Sequence, residues 1–129
     1  MNLLISFFVV GCGGFAGSAL RYAFSLLGSH FSVTFPHGTL WANFCGCLLL
    51  GILSALTAAS GMLSPSSRLL LATGFCGGFT TMSTFTHETF RFFEGGQYLY
   101  ASGYLFLTLF GCIASFGAGL YAGSAITKG

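Results

Sequence analysis

Charge is nearly absent from this sequence: Arg21, Arg68, Arg91 and Lys128 stand against only two acids, Glu88 and Glu94, in 129 residues. A chain that is 5% charged and 54% hydrophobic cannot clothe a water-facing surface as a soluble domain of this size must. Its solvent is lipid. The net charge of +2 is too small to draw a polyanion, and no basic run or base-stacking motif accompanies it, so no nucleic-acid partner is expected. The five cysteines, Cys12, Cys45, Cys47, Cys76 and Cys112, contain no CxxC pair and all lie in apolar stretches. That supports neither a disulfide framework nor a zinc site and makes them small packing residues. There is no Ser/His/Asp set, Cys/His set or pair of carboxylates placed for catalysis, so the chain is not read as an enzyme.

What the sequence does have is long apolar stretches. A bilayer core of about 30 Å takes roughly 20 apolar residues per helical span. Hydropathy predicts four such spans, about 3–27, 38–59, 68–93 and 98–126, in a single domain covering 1–129. The connections are short and carry turn residues: Pro36 in the first, Gly61 and Pro65 in the second, Gly95 and Gly96 after the third span. The first stretch starts at Leu3 with no basic segment before it, and is read as a retained helix and not a cleaved signal. The expected class is an all-α membrane protein of four transmembrane helices with no extramembrane domain.

Several of the twenty glycines recur at helical spacing, Gly13 with Gly17, then Gly111, Ser115, Gly119 and Gly123 down the fourth span. Helices in lipid gain little from the hydrophobic effect against one another, so close approach through small residues is a main route to association. The fourth-span seam predicts tight packing against another long helix. In the third span Gly74, Gly77 and Gly78 are followed by Thr80, Thr81, Ser83 and Thr84, which predicts a broken helix. Carbonyls freed by such a break must be met by protein, water or an ion, and broken helices recur at the ion sites of transporters.

Lys and Arg orient a membrane protein by their excess on one side. Here Arg21 and Arg91 fall on one side and Arg68 and Lys128 on the other. The balance predicts insertion in both directions and an antiparallel, dual-topology homodimer with its two-fold axis in the membrane plane.

Polar groups inside the apolar spans are few. Arg21 needs a partner or a path to the interface. Asn43 offers two N–H donors, to a passing solute or to a neighbouring helix. Glu88 stands three residues before Arg91, at ion-pair spacing. Tyr104, Thr108 and Cys112 share one helical face, where hydroxyls either line a path or bond back to their own helix. His30, His37 and His87 show no metal-ligand or general-base spacing and are read as polar loop or helix-end residues.

Taken together, the glycine-rich first span ending in Arg21-Tyr22, the segment from Gly38-Thr39-Leu40 to Asn43, and the run Gly74-Phe75-Cys76-Gly77-Gly78-Phe79-Thr80-Thr81-Met82-Ser83-Thr84-Phe85 followed by Glu88 resemble the Fluc (CrcB) family of bacterial fluoride channels. The resemblance covers all four spans, and the third-span motif is its specific part. It implies a multi-pass protein of the bacterial plasma membrane that exports fluoride passively, as an antiparallel homodimer with two pores. It also implies a structural Na+ at the dimer centre, held by the carbonyls of Gly77 and Thr80. Carried onto this chain, the pore asparagine is Asn43 and the second pore phenylalanine is Phe85. The polar track is Ser83, Thr84, Tyr104 and Thr108, the glutamate is Glu88, and Arg21 is the first-span arginine.

Two positions depart from that pattern. Met82 stands where the family has its first pore phenylalanine, and Cys112 where a fourth-span serine is often found. A flexible thioether and a thiol, a weaker donor than a hydroxyl, leave room for a slow channel, for one selective for another ion, or for a non-conducting or heteromeric subunit. A small proton-coupled multidrug transporter also uses four helices in antiparallel dimers, but needs a carboxylate in its first span, where this chain has none.

Overall fold

The computed structural model describes residues 2–59 and 62–128. Every regular element among them is helical, as a chain without water to bond its backbone requires. The sequence-predicted breaker Gly61 lies outside the described residues.

Helix α1 spans Leu3–Phe31, continuing past the predicted end at Leu27, and Asn2 caps it by accepting from the Leu4 N–H. A short turn follows, held by the Ser32 hydroxyl, which accepts from the amides of Thr34 and Phe35. Pro36 then precedes α2, His37–Ala58. Ser64 and Pro65 form a cap and first turn suited to a helix start, and α3 runs over residues 65–79. Its middle, Leu69–Cys76, is wound in the wider π geometry. Thr80 and Thr81 are extended, α4 covers Met82–Glu94, and α5 covers Tyr98–Lys128. Between the last two, Gly96 takes a φ of +69°, a left-handed conformation that suits glycine.

Three helices, α1, α2 and α5, are long and apolar enough to cross a membrane, with mean hydropathies of 2.0, 1.8 and 1.8. Of the most apolar stretch of each, 44% is buried in α2 against 11% in α1 and in α5, so α2 is the central helix. The interruption falls at Thr80 and Thr81, two residues after the last of the third-span glycines; Gly74, Gly77 and Gly78 are themselves helical. The threonines supply the reason. The Thr80 hydroxyl and its own N–H both donate to the Cys76 carbonyl, while the Thr81 N–H is taken by a side chain of another helix, which removes the next helical bond.

The glycines serve close approach. A Cβ on Gly13 would run into the Leu70 carbonyl, one on Gly17 into that of Phe75, and one on Gly78 into that of Gly14, so α1 and α3 lie backbone against backbone. The seam on α5 does the same against α2: Gly119 lies on the Leu48 carbonyl, Gly51 on that of Phe116, and the Phe44 ring covers Gly111. Both contacts rise together in residue number, so each pair of helices runs parallel. At the opposite end of the fold Gly28 packs against Gly38 and closes the α1–α2 hairpin. Leu40, Phe85, Phe92, Ala101 and Tyr104 form the buried cluster beside these seams.

Candidate ion pathway

The interruption after Phe79 frees carbonyls that a continuous helix would use, and side chains from α1 and α2 meet part of that need. Asn43, 6% exposed, clasps Thr81 at both ends: its Nδ2 donates to the Thr81 carbonyl at 3.1 Å, and its Oδ1 accepts from the Thr81 N–H at 2.7 Å. The Gly78 carbonyl accepts from Arg21 Nε at 3.1 Å and from the Ser18 hydroxyl at 3.4 Å. Arg21 is therefore directed inward to the interrupted segment and does not only seek the interface. The N–H groups of Thr81 and Thr84, which a continuous helix would give to the carbonyls of Gly77 and Thr80, go instead to Asn43 Oδ1 and to the Thr81 hydroxyl. The Thr81 hydroxyl caps α4 by accepting from the Thr84 N–H at 3.2 Å and donates to the Thr84 hydroxyl at 3.1 Å.

One turn along α2 from Asn43, on the same face, is Thr39. Its hydroxyl donates to Glu88 Oε1 at 2.8 Å, and the Tyr104 hydroxyl donates to Oε2 at 2.7 Å. The i,i+3 ion pair expected between Glu88 and Arg91 is replaced by these two neutral donors, and no ion pair occurs among the described residues. The reason is directional: Glu88 faces α2 and α5, whereas Arg91 is exposed. Tyr104 has no exposed surface, and the Phe85 ring meets it edge-on, with centroids 5.1 Å apart.

Further along the same face of α5, Thr108 is 4% exposed and its hydroxyl has no hydrogen-bond partner. Cys112 follows one turn later and is half-buried. At the other end of the column, Glu88 and Thr39 line an open cavity of about 380 Å³, together with Arg91, His37, Gln97 and the α1 serines Ser25 and Ser29.

Of the residues singled out in the sequence, Asn43, Thr84, Phe85, Glu88, Tyr104 and Thr108 gather where α2, α4 and α5 meet, and Arg21 reaches the interruption from α1. Met82, 66% exposed, Ser83 and Gly77 stand on the outside of the chain. Thr39, Thr81 and Ser18 also belong to the polar column, and sequence reasoning passed over them as binding groups. For Thr39 the signal was present, since it precedes Asn43 by one helical turn. For Ser18 and Thr81 the partner lies in another helix, and nothing local announces it.

The family described as CrcB-like protein, Camphor Resistance (CrcB), matches residues 8–120. The chain is 41% identical over 128 residues to a protein of Chlorobium phaeobacteroides named fluoride-specific ion channel FluC, covering 99% of this chain and 96% of that one. A protein of the same name from Chlorobaculum tepidum is 43% identical over 120 residues, covering 93% and 92%. A third, from Leptospira interrogans, is 38% identical over 122 residues, covering 94% and 96%.

Proposed function

Because this chain belongs to the CrcB-like family, we propose that it is a multi-pass, fluoride-selective channel of the bacterial plasma membrane that lets cytoplasmic fluoride out passively. The observation that carries this reading is the buried polar column that runs from the cavity at Glu88, where Thr39 and Tyr104 hold the carboxylate, past Asn43, which has a second amide N–H beyond the one given to Thr81, to the unpartnered hydroxyl of Thr108. Fluoride is small and strongly hydrated, so a path for it must offer donors as it sheds water. A buried hydroxyl without a partner costs about 1–3 kcal/mol, a cost relieved if an ion or water passes it. The positive edge of the Phe85 ring is a further surface an anion tolerates. Fluoride that entered as the neutral acid dissociates in the less acidic cytoplasm, and the membrane potential assists its exit by about 2.3 kcal/mol per charge per 100 mV. No bond-making chemistry is needed.

On this reading residues 65–94 make the fourth membrane pass as a broken helix, α3 with α4. The functional unit is an antiparallel, dual-topology homodimer. Four helices alone seldom enclose a polar path, and Met82 and Ser83 reach a pore only if a second copy covers the outer face of α4. The carbonyls of Gly77 and Thr80, whose helical donors are diverted, fit a structural Na+ at the dimer centre, since hard cations take oxygen ligands and unwound backbone supplies them in membrane ion sites. Among the described residues no three His, Cys, Asp or Glu side chains converge to hold a metal, so backbone oxygen is the donor set available. When bound, the cation supplies positive charge where carbonyls from both copies would otherwise repel. Arg21 and Ser18 orient that segment through the Gly78 carbonyl.

Fluoride efflux from liposomes holding the purified protein, run beside chloride and beside Met82→Phe, tests the proposal. Fast fluoride-selective efflux is the expected result. Silence from the native protein with rescue by Met82→Phe would place a defect at that side chain, and silence from both would overturn the channel reading in favour of an assembly or heteromeric subunit. Gly77→Leu tests the dimer. A Cβ at Gly77 meets nothing within 4 Å in the protomer, so a monomer on crosslinking supports the second copy and an intact dimer removes Gly77 from its centre.

A further inference from the structure

The polar face of α5 ends at Cys112, whose thiol the channel reading uses only as a weak donor. The register of α2 against α5 gives that thiol a specific neighbour. Thr39 on α2 and Tyr104 on α5 meet on Glu88; two turns further along the same two faces, past Asn43 and Thr108, stand Cys47 and Cys112, and α2 and α5 stay in backbone contact beyond them at Gly51 and Gly119. The two thiols therefore belong to facing sides of one helix pair. Both residues are half-buried and neither is sealed, whereas Cys76 is 2% exposed. Cys12 and Cys45 are exposed, and Cys45 precedes Cys47 by two residues, which turns it to another face of α2.

We propose that Cys47 and Cys112 form a two-thiolate site for a soft cation of linear coordination, with the mercuric ion as its probe, and that occupying it shuts the ion path at the end of the α5 polar face. Thiolates select soft metals. Two S–H bonds break, two S–metal bonds form and two protons pass to water, with no change of oxidation state; metal affinity therefore falls as pH falls. Two donors complete a linear site, while the absence of any three-ligand group among the described residues disfavours an ion such as zinc, which takes four ligands. The cation would lie one helical turn from the Thr108 hydroxyl. Closure rests on the channel reading; binding does not.

The test uses the whole chain in detergent and in liposomes. Purified protein is titrated with mercuric ion, then dialysed against excess free cysteine, which strips single-thiol adducts faster than a bridged pair. The expected result is one mercuric ion retained per chain, with thiolate-to-metal absorption in the ultraviolet. Retention should be lost in Cys47→Ala and in Cys112→Ser and kept in Cys12→Ser and Cys45→Ser. Retention that survives Cys112→Ser, a volume-conserving change that keeps the fold, would overturn the site. In liposomes, one equivalent should bring native fluoride efflux to the protein-free leak and leave Cys112→Ser unaffected. Retained metal with undiminished efflux would overturn closure alone. A native protein that conducts nothing yet retains the ion would overturn the channel reading and leave the site standing.

Discussion

The glycine seams and the polar column sit within a few residues of each other on the same helices, yet different physics holds them. Along the seams, between α1 and α3 and between α2 and α5, backbones touch because no side chain intervenes, and the stabilisation is close packing summed over many weak contacts. In the column, single hydrogen bonds link distant parts of the chain: Asn43 to Thr81, Thr39 and Tyr104 to Glu88, Arg21 to Gly78. The seams set the distance between helices, and the column depends on that distance, since a hydrogen bond weakens steeply once donor and acceptor separate. Steric fit therefore comes first, and polar chemistry follows from it.

The largest effect should come from breaking a seam. Gly17→Leu drives a side chain into the Phe75 carbonyl, which cannot move without shifting α3, and overpacking of this kind costs about 1–3 kcal/mol or more. Loss of monodisperse protein in size-exclusion chromatography is expected; normal assembly with normal flux would show that the seam does not set the column.

Asn43→Asp should leave the seams intact and damage the column. It replaces the donor to the Thr81 carbonyl with an acceptor and sets negative charge on the anion path. At about 1.4 kcal/mol per factor of ten, losing a bond to a buried carbonyl worth about 1–3 kcal/mol corresponds to a roughly tenfold to hundredfold slower efflux. Native flux in that variant would remove Asn43 from the path.

Thr108→Val sharpens the contrast further. It conserves shape and deletes a hydroxyl that has no protein partner, so thermal stability should hold or rise, by up to about 1 kcal/mol, while fluoride efflux falls several-fold. Unchanged efflux would make the hydroxyl a structural orphan.

Gly103→Ala should do least. A Cβ there meets nothing within 4 Å, and a change of less than about 1 kcal/mol, in the stabilising direction of helix propensity, is expected in thermal unfolding. A large loss would mean that this face is covered by another chain.

Much of the fold was legible because lipid is a demanding solvent. The apolar stretches that became α1, α2 and α5 differ from their predicted spans only at the ends. The α5 seam of Gly111, Gly119 and Gly123 was readable as a packing face, and it packs on α2. Of the polar column, the sequence showed the roster of side chains more than their contacts. Asn43, Glu88, Tyr104 and Thr108 stand out in an apolar chain because polar groups there are expensive. Their partners were not visible: Glu88 looked paired with Arg91 at helical spacing and is met by Thr39 and Tyr104. The interruption looked like the work of glycine and falls instead at two threonines.

The solvent, the helical class, the three long apolar helices and the short roster of polar side chains all follow from local composition and spacing. Which donor meets which acceptor is set by the packing of distant helices. Asn43 and Thr81 are 38 residues apart, Thr39 and Glu88 49, and Arg21 and Gly78 57. Those meetings exist because glycines let α1 and α3, and α2 and α5, approach to backbone contact, which is a property of helices packed together and not of any one of them.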